Sequence, residues 1–200
     1  MNQLYTIGHS THTSERFIEL LKMHQITAVC DVRSNPHSKF NPQFNRETIQ
    51  NALKANNISY VYLGLGLGPR SDAPACYVDG KVQYNRLAQT DLFLQGLKRL
   101  QEGMRSYRIT LMCVEKDPMA CHRMILICRH LRSAGIEINH ILEDGSLETN
   151  AESEKRLMRT LKIPETSLFE TSEDLVQRAY DIQGEKIAHV NKQMNDDFNA

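Results

Sequence analysis

Apolar residues fall along the chain in two rhythms: short uninterrupted runs bounded by turn residues, and longer stretches in which they recur every three or four positions. Runs of the first kind suit strands buried on both faces, and the 3.6-residue recurrence suits the helices that cover them. Residues 4–7 and 28–32 read as the first two strands. Between them residues 14–23 carry Phe17, Ile18, Leu20 and Leu21 on one helical face, with Thr13 or Ser14 as the cap. A second helix is expected over 45–56, a third strand over 59–63 ending at Gly64, a fourth over 108–113 and a fifth over 137–142. This alternation predicts a single Rossmann-like α/β domain, a mostly parallel sheet of about five strands flanked by helices.

After the third strand the rhythm lapses. Residues 64–85 hold Gly64, Gly66, Gly68, Pro69, Pro74 and Gly80 without a sustained period and read as a long loop, a kind of segment that often carries function. Residues 87–107 read as one helix with Phe93, Leu97 and Leu100 at core spacing. Residues 172–194 set Leu175, Val176, Ala179, Ile182, Ile187, Val190 and Met194 near one stripe that Gly184 interrupts. That is an amphipathic helix, which either docks on its own domain or covers a second copy of the chain in a homodimer. With the linker placed near Pro164, the expected division is an α/β domain over 1–163 and a C-terminal helical tail over 164–200.

Composition narrows the class. At 200 residues, 40% apolar and 24% charged, the chain is of one-domain size and is neither collagen-like nor wholly disordered. Lys plus Arg and Asp plus Glu both number 24, so no whole-molecule field steers nucleic acid. Locally the balance shifts: residues 32–71 hold five bases against one acid, and residues 140–200 hold 13 acids against seven bases. A basic middle suits a small anionic ligand. The five cysteines, Cys30, Cys76, Cys113, Cys121 and Cys128, are odd in number and scattered, which argues for a reducing compartment rather than a disulfide framework. The opening residues lack a basic stretch followed by an apolar run, and no 18-residue apolar span occurs, so the expectation is a soluble cytoplasmic protein with no membrane partner.

Chemistry is sought where parallel sheets place it, beyond the carboxyl ends of the strands. Gly8, His9 and Ser10 follow the first strand. Asp31 lies in the second, with Arg33 just after it, and Cys113 ends the fourth, with Glu115 just beyond. Asp117-Pro118 is a helix-start signal that would set Cys121, His122 and Arg123 in the first two turns, where the positive end of the helix favours a thiolate. His9, Glu115, Cys121 and His122 are therefore the candidate catalytic groups. Ser10, Asp31, Arg33, Cys113 and Arg123 are the candidate substrate-binding groups, with Arg33 and Arg123 clamping an anion. Each has a plainer alternative: a small buried hydrophobe for Cys121, hydrogen-bonded rim residues for the histidines, internal ion pairs with Asp31 or Glu115 for the arginines. Cys113, Cys121, His122 and His9 can meet in space, yet Cys-x7-Cys-His is no established zinc spacing and Cys-x2-Cys is absent, so no metal is assigned. The Cys-x5-Arg phosphatase loop, the Walker A run and the G-x-G-x-x-G spacing are absent too, and no cofactor is named.

Three blocks, Thr6-Ile7-Gly8-His9-Ser10, Asp31-Val32-Arg33-Ser34-Asn35-Pro36 and Cys113-Val114-Glu115-Lys116-Asp117-Pro118-Met119-Ala120-Cys121-His122-Arg123, together resemble the family catalogued as domain of unknown function 488. Its signatures are T-I-G-H-S, D-V-R-x-x-P and C-x-E-x-x-P-x-x-C-H-R, and the resemblance runs over about residues 2–160. It implies an α/β fold, and its motif positions fall on His9, Ser10, Asp31, Arg33, Pro36, Cys113, Glu115, Cys121, His122 and Arg123. Residues 64–70 depart from it, being longer than the compact glycine–arginine turn expected of the family. Three functions stay open: an enzyme acting on a small phosphate- or nucleotide-like anion, a nucleic-acid-binding or DNA-repair-associated protein stacking bases on Tyr60, Tyr62 and Tyr77, and a non-catalytic ligand-sensing module.

Overall fold

The computed structural model describes residues 3–191. Strands β1 (Gln3–Gly8), β2 (Ala28–Asp31) and β3 (Ser59–Tyr62) alternate with helices α1 (Ser14–Met23) and α2 (Arg46–Ala55). Local chemistry fixes α1: the Thr13 hydroxyl accepts from the Arg16 N–H, Glu15 lies in the first turn and Lys22 in the last, each charge complementing the helix dipole.

The expected long loop after β3 contains structure of its own. A short helix α3 (Gly64–Leu67) and a 3-10 turn (Pro74–Cys76) lead to a two-stranded hairpin of β4 (Tyr77–Val78) and β5 (Lys81–Val82). Asp79 and Gly80, both at positive φ (47° and 69°), make its turn. The helix expected over 87–107 is two, α4 (Tyr84–Leu87) and α5 (Asp91–Gly103), because Thr90 caps a new start by accepting from the Phe93 N–H. The glycines of α3 serve contact: a Cβ on Gly66 would lie 2.5 Å from the Leu92 carbonyl oxygen, so α3 rests directly on α5.

Strand β6 (Ile109–Cys113) follows, then a 3-10 turn (Pro118–Ala120), a π-helical segment (Arg123–Cys128) continuing into α6 (Arg129–Leu131), a further 3-10 turn (Arg132–Ala134), β7 (Glu137–Ile141), β8 (Leu147–Thr149), α7 (Asn150–Thr160) and α8 (Ser172–Ile187). The main sheet runs β3-β2-β6-β1-β7-β8, its first five strands parallel and β8 antiparallel to β7. The fold is thus the α/β class expected, with a sixth, short strand added.

Side-chain parity splits the core in two. Tyr5, Ile7, Val29 and Met112 face α1 and α2, meeting Phe17, Leu21, Ile49 and Leu53. Leu4, Cys30, Leu111 and Cys113 face the other way, toward Phe93 of α5, Met124 to Cys128 of the π segment, Leu157 of α7 and Leu175 and Tyr180 of α8. The chain therefore leaves β1 toward one face and neighbouring β6 toward the other, which makes their carboxyl ends a topological switch point. The C-terminal helix docks on its own chain: Leu175, Ala179 and Tyr180 are buried, and Gln183 Nε2 donates to the Met119 carbonyl. Met194 lies outside the described residues. No described helix is long and apolar enough to cross a membrane.

Candidate active site

At the switch point β1 and β6 run on together past the sheet: His9 N–H donates to Cys113 O and Ser10 N–H to Val114 O, both at 2.8 Å. A Cβ on Gly8 would lie 1.9 Å from the Glu115 carbonyl oxygen, so only glycine permits this approach. Ser10, at φ 44°, turns the chain away. Around this rim the residues singled out in the sequence form two clusters, one on each face of the sheet.

The cluster on the α1/α2 face is centred on Arg33. Asp31 faces that side by strand parity, and the Arg33 side chain folds back on it in a bidentate pair, Nε to Oδ1 at 2.9 Å and Nη2 to Oδ2 at 2.6 Å, with both residues buried. Arg33 Nη2 also donates to Phe44 O (2.8 Å) and Tyr60 Oη to Asp31 Oδ2 (2.8 Å). Arg33 Nη1 donates to His9 Nε2 at 3.2 Å, while His9 Nδ1 donates to Ser10 O at 3.1 Å, which fixes a neutral tautomer. The His9 ring stacks on Phe44, and burial, then the Arg33 charge, lowers its pKa to about 4.

The cluster on the other face joins two thiols, an imidazole and a carboxylate. The chain does not form the single helix expected from Asp117. Asp117 caps one 3-10 turn, accepting from the Met119 N–H, and Cys121 follows in extended backbone (φ −134°, ψ 139°) before the π segment begins. The break swings Cys121 in beside Cys113. His122 Nδ1 lies 3.6 Å from Cys113 Sγ and 3.8 Å from Cys121 Sγ, and His122 Nε2 donates to Val32 O at 3.0 Å, which leaves Nδ1 as the ring's acceptor. Cys113 Sγ donates to Glu115 Oε2 at 3.3 Å. Burial raises the Cys121 pKa, but the contact with Cys113 and the charge of Arg123 outweigh it and bring this thiol well below its usual range. Cys113, buried beside Cys121, is pushed the opposite way, and desolvation of its carboxyl end raises Glu115 although the residue as a whole is exposed.

Arg33 and Arg123 do not face a common opening. Arg123, wholly buried on the thiol side, donates through Nε to Thr6 Oγ1 (3.2 Å), through Nη1 to Glu115 O and through Nη2 to Lys116 O (2.9 Å). Its guanidinium thereby clasps the loop that carries Glu115. Among the described residues it forms no carboxylate salt bridge, and its charge acts on the Cys121 thiol, on Asp117 and on His140.

Sequence reading passed over the network beyond it. Thr6, accepting from Arg123, donates to His140 Nδ1 (2.8 Å), and His140 Nε2 donates to Asn150 Oδ1 (3.2 Å). Asn150 Nδ2 and Tyr180 Oη both reach Glu154 Oε1 at 2.7 Å. The only signal in the sequence was a run of polar residues at positions the strand and helix periods turn inward. A cleft of about 480 Å³ also opens beside the rim, lined by Ser34, Asn35, Gly64, Arg70, Asp72 and Asp91 among others, and none of the candidate residues named above lines it.

Fold and rim define a doubly wound α/β protein with a polar site at its switch point. A family model described as "Domain of unknown function DUF488" matches residues 13–129, more than half of the chain, and the chain belongs to that family. No curated protein and no solved structure matched it.

Proposed function

We propose that the protein is an enzyme that acts on a small anionic substrate, phosphate- or nucleotide-like, with the Cys113, Cys121, His122 and Glu115 cluster as its reaction centre. The observation that carries this reading is convergence: two thiols on different elements meet one imidazole nitrogen whose tautomer is held by the end of β2, under a carboxylate. Side chains that only fill a core do not need such matched polar geometry. Cys113, Cys121 and His122 are 4%, 1% and 4% exposed, so Glu115, on the solvent side, is the group that moves aside when substrate enters. Arg123 is the positioning residue for that loop, and Arg33 with His9 holds the rim in place from the other face. The anionic class rests on the excess of bases over 32–71; the adjoining cleft, with Arg70 against Asp72 and Asp91, does not add to it.

The three tyrosines proposed as a stacking surface do not favour the nucleic-acid reading. Tyr60, Tyr62 and Tyr77 donate their hydroxyls to Asp31, Ser34 O and Ser71 O and are half-buried, so these three rings do not form an open stacking platform.

The test is thermal denaturation with inorganic phosphate, sugar phosphates and nucleotides. A ligand that binds the folded state raises Tm according to its concentration over Kd. A rise with at least one anionic compound, diminished in Glu115→Gln and Arg33→Lys, supports the reading. No rise with any anion, or a rise that both variants retain in full, contradicts it.

A further inference from the structure

The thiol cluster has the dimensions of a metal site. Tetrahedral zinc, with Zn–S near 2.3 Å and Zn–N near 2.0–2.1 Å, sets its sulfur and nitrogen ligands about 3.6 Å apart. Here the His122 Nδ1 to sulfur distances are 3.6 and 3.8 Å, and the three ligand atoms of Cys113, Cys121 and His122 all lie within 4.8 Å of one another. Glu115 Oε2 lies 3.3 Å from Cys113 Sγ but outside the group of three, so its exposed side chain must swing inward to become a fourth ligand. The site has no room for error in one respect: the imidazole must present Nδ1, and the Nε2–H bond to Val32 O holds it that way, as a backbone carbonyl commonly does for a ligating histidine.

Charge points the same way. Arg123 is completely buried, and its hydrogen-bond partners among the described residues are a hydroxyl and two carbonyls, none of them charged. A buried guanidinium without an anion is costly. Two thiolates and one carboxylate around a divalent cation leave one net negative charge, which Arg123 offsets.

We propose that Cys113, Cys121 and His122 bind a single zinc ion, with Glu115 as the fourth and displaceable ligand. Thiolate and imidazole together select zinc over harder cations such as magnesium or calcium. The three buried ligands come from the end of β6 and the turn before the π segment, and Glu115 reaches the ion from solvent. When Glu115 withdraws it leaves the open position typical of catalytic rather than structural zinc, and a substrate anion or water fills it. This inference deepens the reading of the same cluster as a reaction centre, and rests on it for the role of the open position only. Binding itself stands on the geometry.

The experiment is titration of the full chain, stripped with chelator and kept reduced, with Co(II) followed by Zn(II). The expected result is one Co(II) per chain with the strong visible bands of tetrahedral cobalt and a thiolate-to-cobalt charge-transfer band, both abolished by one equivalent of Zn(II). Cys113→Ser and Cys121→Ser should each remove at least half of the charge-transfer intensity, while Cys30→Ser and Cys128→Ser, whose thiols are buried elsewhere in the core, leave it intact. Glu115→Gln should keep the stoichiometry and weaken zinc binding at least tenfold; because Glu115 is exposed, this variant stays readable even if a cysteine variant fails to fold. Pale octahedral cobalt without charge transfer, or an unchanged spectrum in both Cys113→Ser and Cys121→Ser, overturns the zinc site. If the metal fails to bind while anionic compounds still raise Tm, the zinc site falls and the enzyme reading survives. If zinc binds and no anion does, the reverse holds.

Discussion

Arg33 illustrates how a single residue's role is fixed by its partners. The sequence marks it as a ligand-binding arginine at a strand end, and the alternative of an ion pair with Asp31 was also readable, because residues two apart on a strand share a face. In the structure the pair is bidentate and buried on both sides. Removing one member therefore leaves a buried charge without its partner, which typically costs about 3–5 kcal/mol. Arg33→Ala should be destabilised on that scale, and adding Asp31→Asn should recover part of the loss, as read from denaturant midpoints. If Arg33→Ala unfolds at the wild-type midpoint, the pair is not structural. Arg123 was harder to foresee. Its partners are backbone carbonyls of a loop seven and eight residues earlier, and backbone groups leave no trace in residue type.

Elements were legible where burial imposed a period. The five parallel strands and α1 follow directly from apolar runs and from the stripe of Phe17, Ile18, Leu20 and Leu21. Helix α7 escaped because its sequence, NAESEKRLMRT, is largely polar, although Thr149 and Glu152 form a capping box at its start. The break at Cys121 escaped because Asp117-Pro118 is a sound start signal for either a 3-10 turn or an α-helix. What holds the rim at this scale is the contact of β1 with the loop after β6, and Gly8 is its tightest point. Gly8→Ala drives a methyl into the Glu115 carbonyl and should cost about 1–3 kcal/mol or more. Gly135→Ala, at φ 66° with open space around it, should cost only about 1 kcal/mol, the backbone penalty alone. Equal melting temperatures for the two variants would show that the β1–β6 contact yields freely.

Across the whole molecule the rim is tied to the C-terminal helix by a polar chain through the core, from Arg123 through Thr6, His140 and Asn150 to Glu154 and Tyr180. His140 is its titratable link near neutrality. Burial first, and the Arg123 charge second, lower its pKa from the usual 6.5 to about 4, against the weaker opposing effects of Asn150 and Glu148; Arg156 adds to the lowering. The unfolded chain therefore binds a proton at a pH where the folded chain does not, and stability rises with pH through that interval. The contribution, on the order of 3 kcal/mol, is complete above pH 6.5 and is lost as the pH falls through about 4. Thermal denaturation between pH 7 and pH 4 should show a shallower decline for His140→Gln than for wild type; parallel curves would remove His140 from the account. This link was invisible in the sequence because it joins residues as far apart as Thr6 and Tyr180, and only the strand order brings β1 beside β7.

On the proposed reading, function resides at the switch point, where the ends of β1, β2 and β6 meet. Backbone amide resonances followed during titration with inorganic phosphate and nucleoside phosphates test it most directly. The largest shifts should fall at Gly8 to Ser10, Val32 to Ser34 and Val114 to Lys116, with smaller ones along the π segment. Saturable shifts confined to the β4–β5 hairpin or to the exposed side of α8, with the rim unmoved, would contradict it.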